Sequence, residues 1–437
     1  MQASSQRSTI SPLGAIFDAN RHGRATGVYS VCCAHPTVIR AALELAHDRE
    51  QVAVIESTCN QVNQDGGYTG MTPIAFADQV RAMAREVGLP DDDLVLGGDH
   101  LGPQPWRDLP ADAAMAKAVA MIETYARAGY GKLHLDCSMA CADDPAALAD
   151  AVIAERAARL AAAAEAAVGT NTTRPIYVIG TEVPAPGGMG EGHAIMPTRA
   201  DSVKTTWRAH ETAFAQAGLT PMLARVVAIV VQPGLDFGNE DVVQFDPAGA
   251  AELASAVLAL PGAVYEAHST DYQLPASYRA LVAMHFAILK VGPAATFALR
   301  EAVYALENVA RELPGWNPRW SVRDALEAAM LREPRHWASH YGGDQARQAY
   351  LRHYSYSDRV RYYWTEPTVE IAVDMLFGFL RTDPLPPPLV SQYFPQHMPA
   401  VAAGKLPATP DDLARASVKA ALAPYACACG DHALARA

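Results

Sequence analysis

The chain has 437 residues, half of them hydrophobic, with 35 lysines and arginines against 47 acidic residues and a formal charge of −12. That balance argues against nucleic acid as the main partner, because neutralising phosphates takes clustered lysine and arginine. It leaves room for an anionic small molecule held by local cations.

The amino terminus, MQASSQRSTISPLG, lacks the apolar centre of a signal peptide, and no apolar run approaches the ~20 residues of a membrane span, so no membrane partner is expected. The seven cysteines include no CxxC pair of zinc-finger type and read as reduced thiols in a bacterial-type cytosol. Cys33, Cys59 and Cys137 read as space fillers, since a nucleophilic thiol needs a neighbouring base and electropositive surroundings.

In chain order, residues 1–26 form an N-terminal segment, and eight short β-branched runs follow. They are GVYSVCCAH (27–35), VAVIEST (52–58), LVLGGDH (94–100) and KLHLDCS (132–138), then IYVIGTE (176–182), VVAIVVQPG (226–234), AVYEAHSTD (263–271) and FAILKVGP (286–293). Between them lie helical stretches such as ADAAMAKAVAMIETYARAG, with apolar residues three and four apart. Thr72 with Pro73, and Asp144 with Pro145, look like cap-then-proline helix starts.

Near-continuous apolar strands imply parallel strands covered by helices on both faces. Eight such units predict a (β/α)8 TIM barrel over 27–295, and no G-x-G-x-x-G follows the first strand to favour an open nucleotide-binding sheet. The glycines of GGMGEG (187–192) read as a mobile loop. After residue 296 the strand rhythm stops, and 296–437 read as a helical extension packed on the barrel. Its run YSYSDRVRYYW (354–364) reads as a packing or subunit contact, and the extension leans towards a homo-oligomer.

Barrel enzymes work at the C-terminal ends of their strands, and here those ends are polar. The third strand ends in Asp99-His100, the fourth carries His134, Asp136 and Ser138, and the fifth ends in Glu182. The seventh carries Glu266, His268 and Asp271, and the eighth has Lys290 before Gly292. One histidine alone would read as a hydrogen-bonded core residue. Two at equivalent strand ends, with Glu182 between them, read as a ligand set for a divalent cation: His100, Glu182 and His268. Nitrogen and oxygen donors without thiolate suit zinc first, with manganese, cobalt or nickel as alternatives.

Asp99 and Asp136 are proton-handling candidates, Asp136 being preferred to His134 because it lies nearer the rim. Lys290 and the Gly292 backbone read as an anion site. The amide-rich loop NQVNQDGGYTG offers Asn60, Gln61, Gln64 and Tyr68 to a polyol, with Asp271 as a further substrate contact.

Six ordered stretches, NQVNQDGGYTGMTP, GGDHLGP, HLDCSM, GTEVPAPGG, YEAHSTDYQ and LKVGPA, together resemble the GatZ/KbaZ family of tagatose-bisphosphate aldolase subunits, over nearly the whole chain. The resemblance implies one of two roles. One is a non-catalytic partner that stabilises a zinc-dependent class II aldolase subunit. The other is a metal-dependent epimerase inverting C4 of tagatose 6-phosphate, or of the free ketose, to the fructose form; an aldolase in its own right is a third reading. Through the related class II aldolases it also implies a catalytic Asp followed by a ligand His, matched by Asp99-His100, and a last ligand matched by His268. The middle ligand departs: Glu182 follows Gly180-Thr181, with Val183 in the histidine's place, and we read Glu182 as the replacement, with a catalytic as well as a ligand role. Opening the C3–C4 bond, turning the aldehyde fragment over and reclosing the bond would invert C4 without a nicotinamide.

Overall fold

The computed structural model describes residues 11–168, 174–181 and 195–432. The eight expected runs all form strands: β1 Val28–Cys32, β2 Ala53–Thr58, β3 Leu94–Leu101, β4 Lys132–Leu135, β5 Ile176–Ile179, β6 Val226–Val231, β7 Val264–Ala267 and β8 Ile288–Val291. Each pairs in parallel with the next, and β8 closes on β1 through Val28↔Ile288, giving a closed barrel. Helices follow every strand, from Pro36–Asp48 after β1 to Pro293–Glu312 after β8, and cover the apolar outer faces. This is the (β/α)8 TIM barrel with C-terminal helices that the strand rhythm predicts.

Several strands, β4 and β7 among them, stop short of the expected runs at the C-terminal end, where the polar tips leave the ladder and turn into the barrel mouth. Thr72 caps the helix Pro73–Val87, its hydroxyl accepting from Ala75 N at 3.4 Å. The expected start at Asp144-Pro145 is overturned. That helix begins at Asp150, and Asp144 instead accepts from Cys141 N and pairs with Arg156. The GGMGEG stretch lies outside the described residues.

The barrel's floor is a second, separate apolar cluster. Leu13, Ile16 and Phe17 of the helix Pro12–Arg21 pack against Val28, Val54, Val178, Val230 and Val264, so the N-terminal segment plugs the barrel's lower end. The extension supplies the other seal. Helix Pro410–Ala428 packs on Pro36–Asp48 and Pro293–Glu312, and beyond it Cys429 O accepts from Gly27 N while His432 accepts from Val52 N at 2.9 Å. Pro293–Glu312 itself runs through the position where the sequence reading divides barrel from extension. With one end closed by apolar packing, the polar residues can meet only at the other.

Candidate functional site

Along β2, β4, β7 and β8, residues two apart share a face, and above the apolar floor that face becomes ionic. Lys132 Nζ lies 2.7 Å from Glu56 Oε1 and 2.6 Å from Glu266 Oε2, all three fully buried. Lys290 Nζ pairs with Glu56 and, at 2.9 Å, with Asp99 Oδ2. Gly97 of β3 makes the space: a Cβ there would stand 2.6 Å from Glu56 Cγ.

The adjacency of Asp99 and His100 has a backbone cause. In a regular strand they would point to opposite faces. Here β3 pairs with β4 as Gly97↔Lys132 and Gly98↔Leu133, then shifts so that Leu101 meets Leu135. Within that irregularity His100 takes φ +49°, a left-handed conformation rare outside glycine. Both side chains thereby lie buried at the barrel mouth.

Three imidazoles meet there. The His100 ring centroid is 4.9 Å from that of His268 and 5.3 Å from that of His134, and His134 and His268 are also 5.3 Å apart. Each ring is oriented by a carboxylate. His134 Nδ1 donates to Asp99 Oδ1 at 2.9 Å, His100 Nδ1 to Asp136 Oδ2 at 2.7 Å, and His268 Nε2 to Glu266 Oε1 at 2.9 Å. Burial would raise Asp99, but the His100 charge, the His134 hydrogen bond and His268 outweigh it and hold Asp99 well below the usual carboxylate range. Burial likewise opposes the charge on His100, yet Asp99 and the Asp136 hydrogen bond raise it to about 9.

Donor atoms of Asp99, His134, Glu266 and His268 lie within 4.8 Å of one another. Nδ1 of His134 faces both Asp99 Oδ1 and the His100 amide, and its buried Nε2 has no hydrogen-bond partner among the described residues. A buried lone pair without a partner, beside a second imidazole and two carboxylates, fits a divalent cation.

The structure gathers most of the residues expected from sequence. Asp99, His100 and His268 stand on the wall of a cavity of ≈ 90 Å³ at the C-terminal ends of the strands, opposite Asn60, Gln61 and Tyr68. Glu182 lies outside the described residues. Five expectations change. His100, expected as a metal ligand, stands outside the cluster of donor atoms that could hold a cation, with its Nδ1 held by Asp136 and with His134 taking its place in the cluster. Gln64 turns outward and donates to Lys117 O at 3.1 Å. Asp136 stands behind His100 and fixes that ring, with Ser138 Oγ donating to it at 2.6 Å. Lys290 and Gly292 line the cavity but are already committed to the chain's own carboxylates. Lys290 is paired with Glu56 and Asp99, and Gly292 N donates to Asp271 Oδ1 at 3.1 Å. Asp271 therefore caps the helix after β8, where the sequence reading places a phosphate.

That cap has a pH signature. Burial pushes the Asp271 carboxyl up to about 6, although the Ala294 and Gly292 amides favour its charged form. An unfolded Asp titrates near ~3.9, so the folded state holds this proton the more tightly. The resulting stability is complete below about pH 4 and is lost as pH climbs through about 6. Asp271→Asn, which cannot ionise, should gain on the wild type between pH 4 and 7 by up to about 3 kcal/mol, read as the difference in melting temperature. A difference that stays flat with pH would show that Asp271 does not titrate in that window.

Sequence reasoning missed Glu56 and Lys132, undervalued His134, and misread the run containing Arg361 and Tyr362. The first two had a signal: an acid inside VAVIEST, and Lys132, His134 and Asp136 at a spacing of two along one strand. Arg361 and Tyr362 sit on the cavity wall, so YSYSDRVRYYW contributes to the site and is not only a packing surface.

A parallel eight-stranded barrel with a histidine and carboxylate cluster of metal-binding kind at its strand ends defines a class of (β/α)8-barrel site. Residues 13–430 match the family described as D-tagatose-1,6-bisphosphate aldolase subunit GatZ/KbaZ-like, and the chain belongs to that family. A crystal structure from Sinorhizobium meliloti 1021, described as a probable tagatose 6 phosphate kinase, is 48% identical, with a TM-score of 0.86 over 92% of this chain and 100% of that one. A fructose-bisphosphate aldolase from Campylobacter jejuni is 14% identical, with a TM-score of 0.42 over 85% of this chain and 95% of that one, too distant to bear on function.

Proposed function

We propose that the chain is a divalent-metal-dependent ketohexose 4-epimerase, interconverting the tagatose and fructose configurations of the sugar or its phosphate. The observation that supports this best is the cluster of Asp99, His134, Glu266 and His268 at the barrel mouth, in a family tied to tagatose-bisphosphate aldolase. His134, His268 and Glu266 would hold the cation, zinc first, with His100 beside them; Glu182, the ligand expected from sequence, lies outside the described residues. When bound, it supplies Lewis-acid polarisation of the ketose carbonyl.

The remaining work falls to the chain's own groups. Asp99, an ionised carboxylate on the cavity wall, takes the C4 hydroxyl proton as the C3–C4 bond opens. It returns that proton after the aldehyde fragment has turned and the bond has reformed on its other face. Asp136 fixes His100, and Asn60, Gln61 and Tyr68 hold substrate hydroxyls.

The family description favours a second reading, a subunit that supports a separate class II aldolase.

The deciding experiment incubates the purified chain alone with tagatose 6-phosphate and added zinc or manganese, beside a chelator control. We expect metal-dependent fructose 6-phosphate. Free three-carbon fragments would make it an aldolase, and no product would leave the supporting subunit.

A further inference from the structure

Resting on the epimerase reading, we infer that Arg361 of the helical extension grips an anionic group, a phosphate ester or a carboxylate, at the end of the ketose remote from its carbonyl. The first support is space. The inner cavity holds ≈ 90 Å³, below the ~300–1,000 Å³ of ordinary small-molecule sites. A second chamber of ≈ 550 Å³ adjoins it, between the barrel rim and the extension. Four residues line both, namely Cys32, Gln61, Tyr68 and Arg361. A ketose with its reacting carbons at Asp99 and His268 therefore runs its far end towards this junction.

The second support is charge. Besides histidines, the inner wall carries two cations, Lys290 and Arg361. Lys290 is paired with Glu56 and Asp99, and the Gly292 amide is taken by Asp271. Arg361 makes no ion pair with a carboxylate among the described residues. Its Nη1 donates to the Ser357 and Asp358 carbonyls, and its Nη2 to the Tyr362 hydroxyl at 3.1 Å. Tyr362 also lies under the guanidinium, 4.6 Å from ring centroid to Cζ, and Tyr68 packs on Tyr362 at 4.9 Å.

A guanidinium has five donors, so these bonds orient the fork and leave N–H groups for a ligand. An oriented fork matches the paired oxygens of phosphate or carboxylate. In a chain of net charge −12, an anionic ligand needs such a local cation. Among the described residues, the extension thus supplies the cavity's one cation that is not paired with a carboxylate.

The test is titration calorimetry on the full chain with added metal, using tagatose, tagatose 6-phosphate and the corresponding 6-carboxylate. Wild type should bind one anionic ketose ~100-fold more tightly than tagatose, the scale of a charge-assisted bidentate pair, and the preferred arm identifies the group. Arg361→Gln should collapse that preference to within a few fold. Arg361→Lys, which keeps charge but not the fork, should retain part of it. Should Arg361→Gln fail to fold, the wild-type comparison and the lysine variant still decide. Equal affinity of wild type for neutral and anionic ketoses, no binding of either anion, or a preference surviving in the glutamine variant would overturn the inference. Preference without any C4-inverted product would sink the epimerase reading and leave Arg361 in place; product without preference would do the reverse.

Discussion

Asp99→Asn should lower turnover of tagatose 6-phosphate by ~10²–10⁴, the usual worth of a positioned acid or base, with a native near-ultraviolet circular dichroism spectrum. The asparagine keeps the shape and an acceptor for His134 but cannot take a proton. Asp99 is the carboxylate both exposed to the cavity wall and tied to the imidazole cluster, through His134 at 2.9 Å. Lys290 at 2.9 Å and the charged His100 keep it ionised. The kinetic split matters as much as the size. A proton-handling role predicts loss in kcat with KM nearly unchanged, whereas a residue that merely binds sugar would move KM. Turnover within a few fold of wild type would remove Asp99 from the chemistry and return attention to Asp136 and Glu182.

The largest effect on stability is expected from Lys132→Met. Lys132 bridges Glu56 and Glu266 across the barrel with no solvent contact. Breaking a buried pair by removing one partner typically costs about 3–5 kcal/mol, because the other charge stays behind without compensation. Methionine replaces the stem's volume, so the loss reports charge and not a cavity. The sign of the pH dependence follows from Glu266. Burial would raise it, and Lys132 is the first of the groups that instead hold it below its ordinary value. That contribution is present at neutral pH and fades on acidification. The gap between wild type and variant, read from urea midpoints in metal-free protein, should therefore narrow as pH falls through the carboxylate range. A neutral-pH gap under about 1 kcal/mol would mean that Glu56 and Glu266 are adequately held by Lys290 and His268 alone.

The barrel was legible in the sequence because its physics is local. A strand buried on both faces needs a run of β-branched residues, and the crossover to a parallel neighbour needs a helix. Eight repeats of that pair read straight off the chain, as did the polar strand ends that line the candidate site. Asp99, His100 and His268 stand out in the sequence because each breaks such a run.

Tertiary structure alone decided how those residues share their work. The β3 irregularity turns Asp99 and His100 the same way, and no residue pattern announces a shift of register. Closure of the barrel brings Lys132 between Glu56 and Glu266, 76 residues before it and 134 after it in sequence, and lends His134 to Asp99. It also places Asp271 where the helix after β8 would otherwise offer its amides to a ligand. Arg361 is the extreme case: its run looks like any aromatic, basic helix surface until the extension folds back over the mouth and sets it between two chambers. Which segments become strands is set by neighbours in sequence, whereas charge pairing depends on distances that exist only once the cylinder has closed.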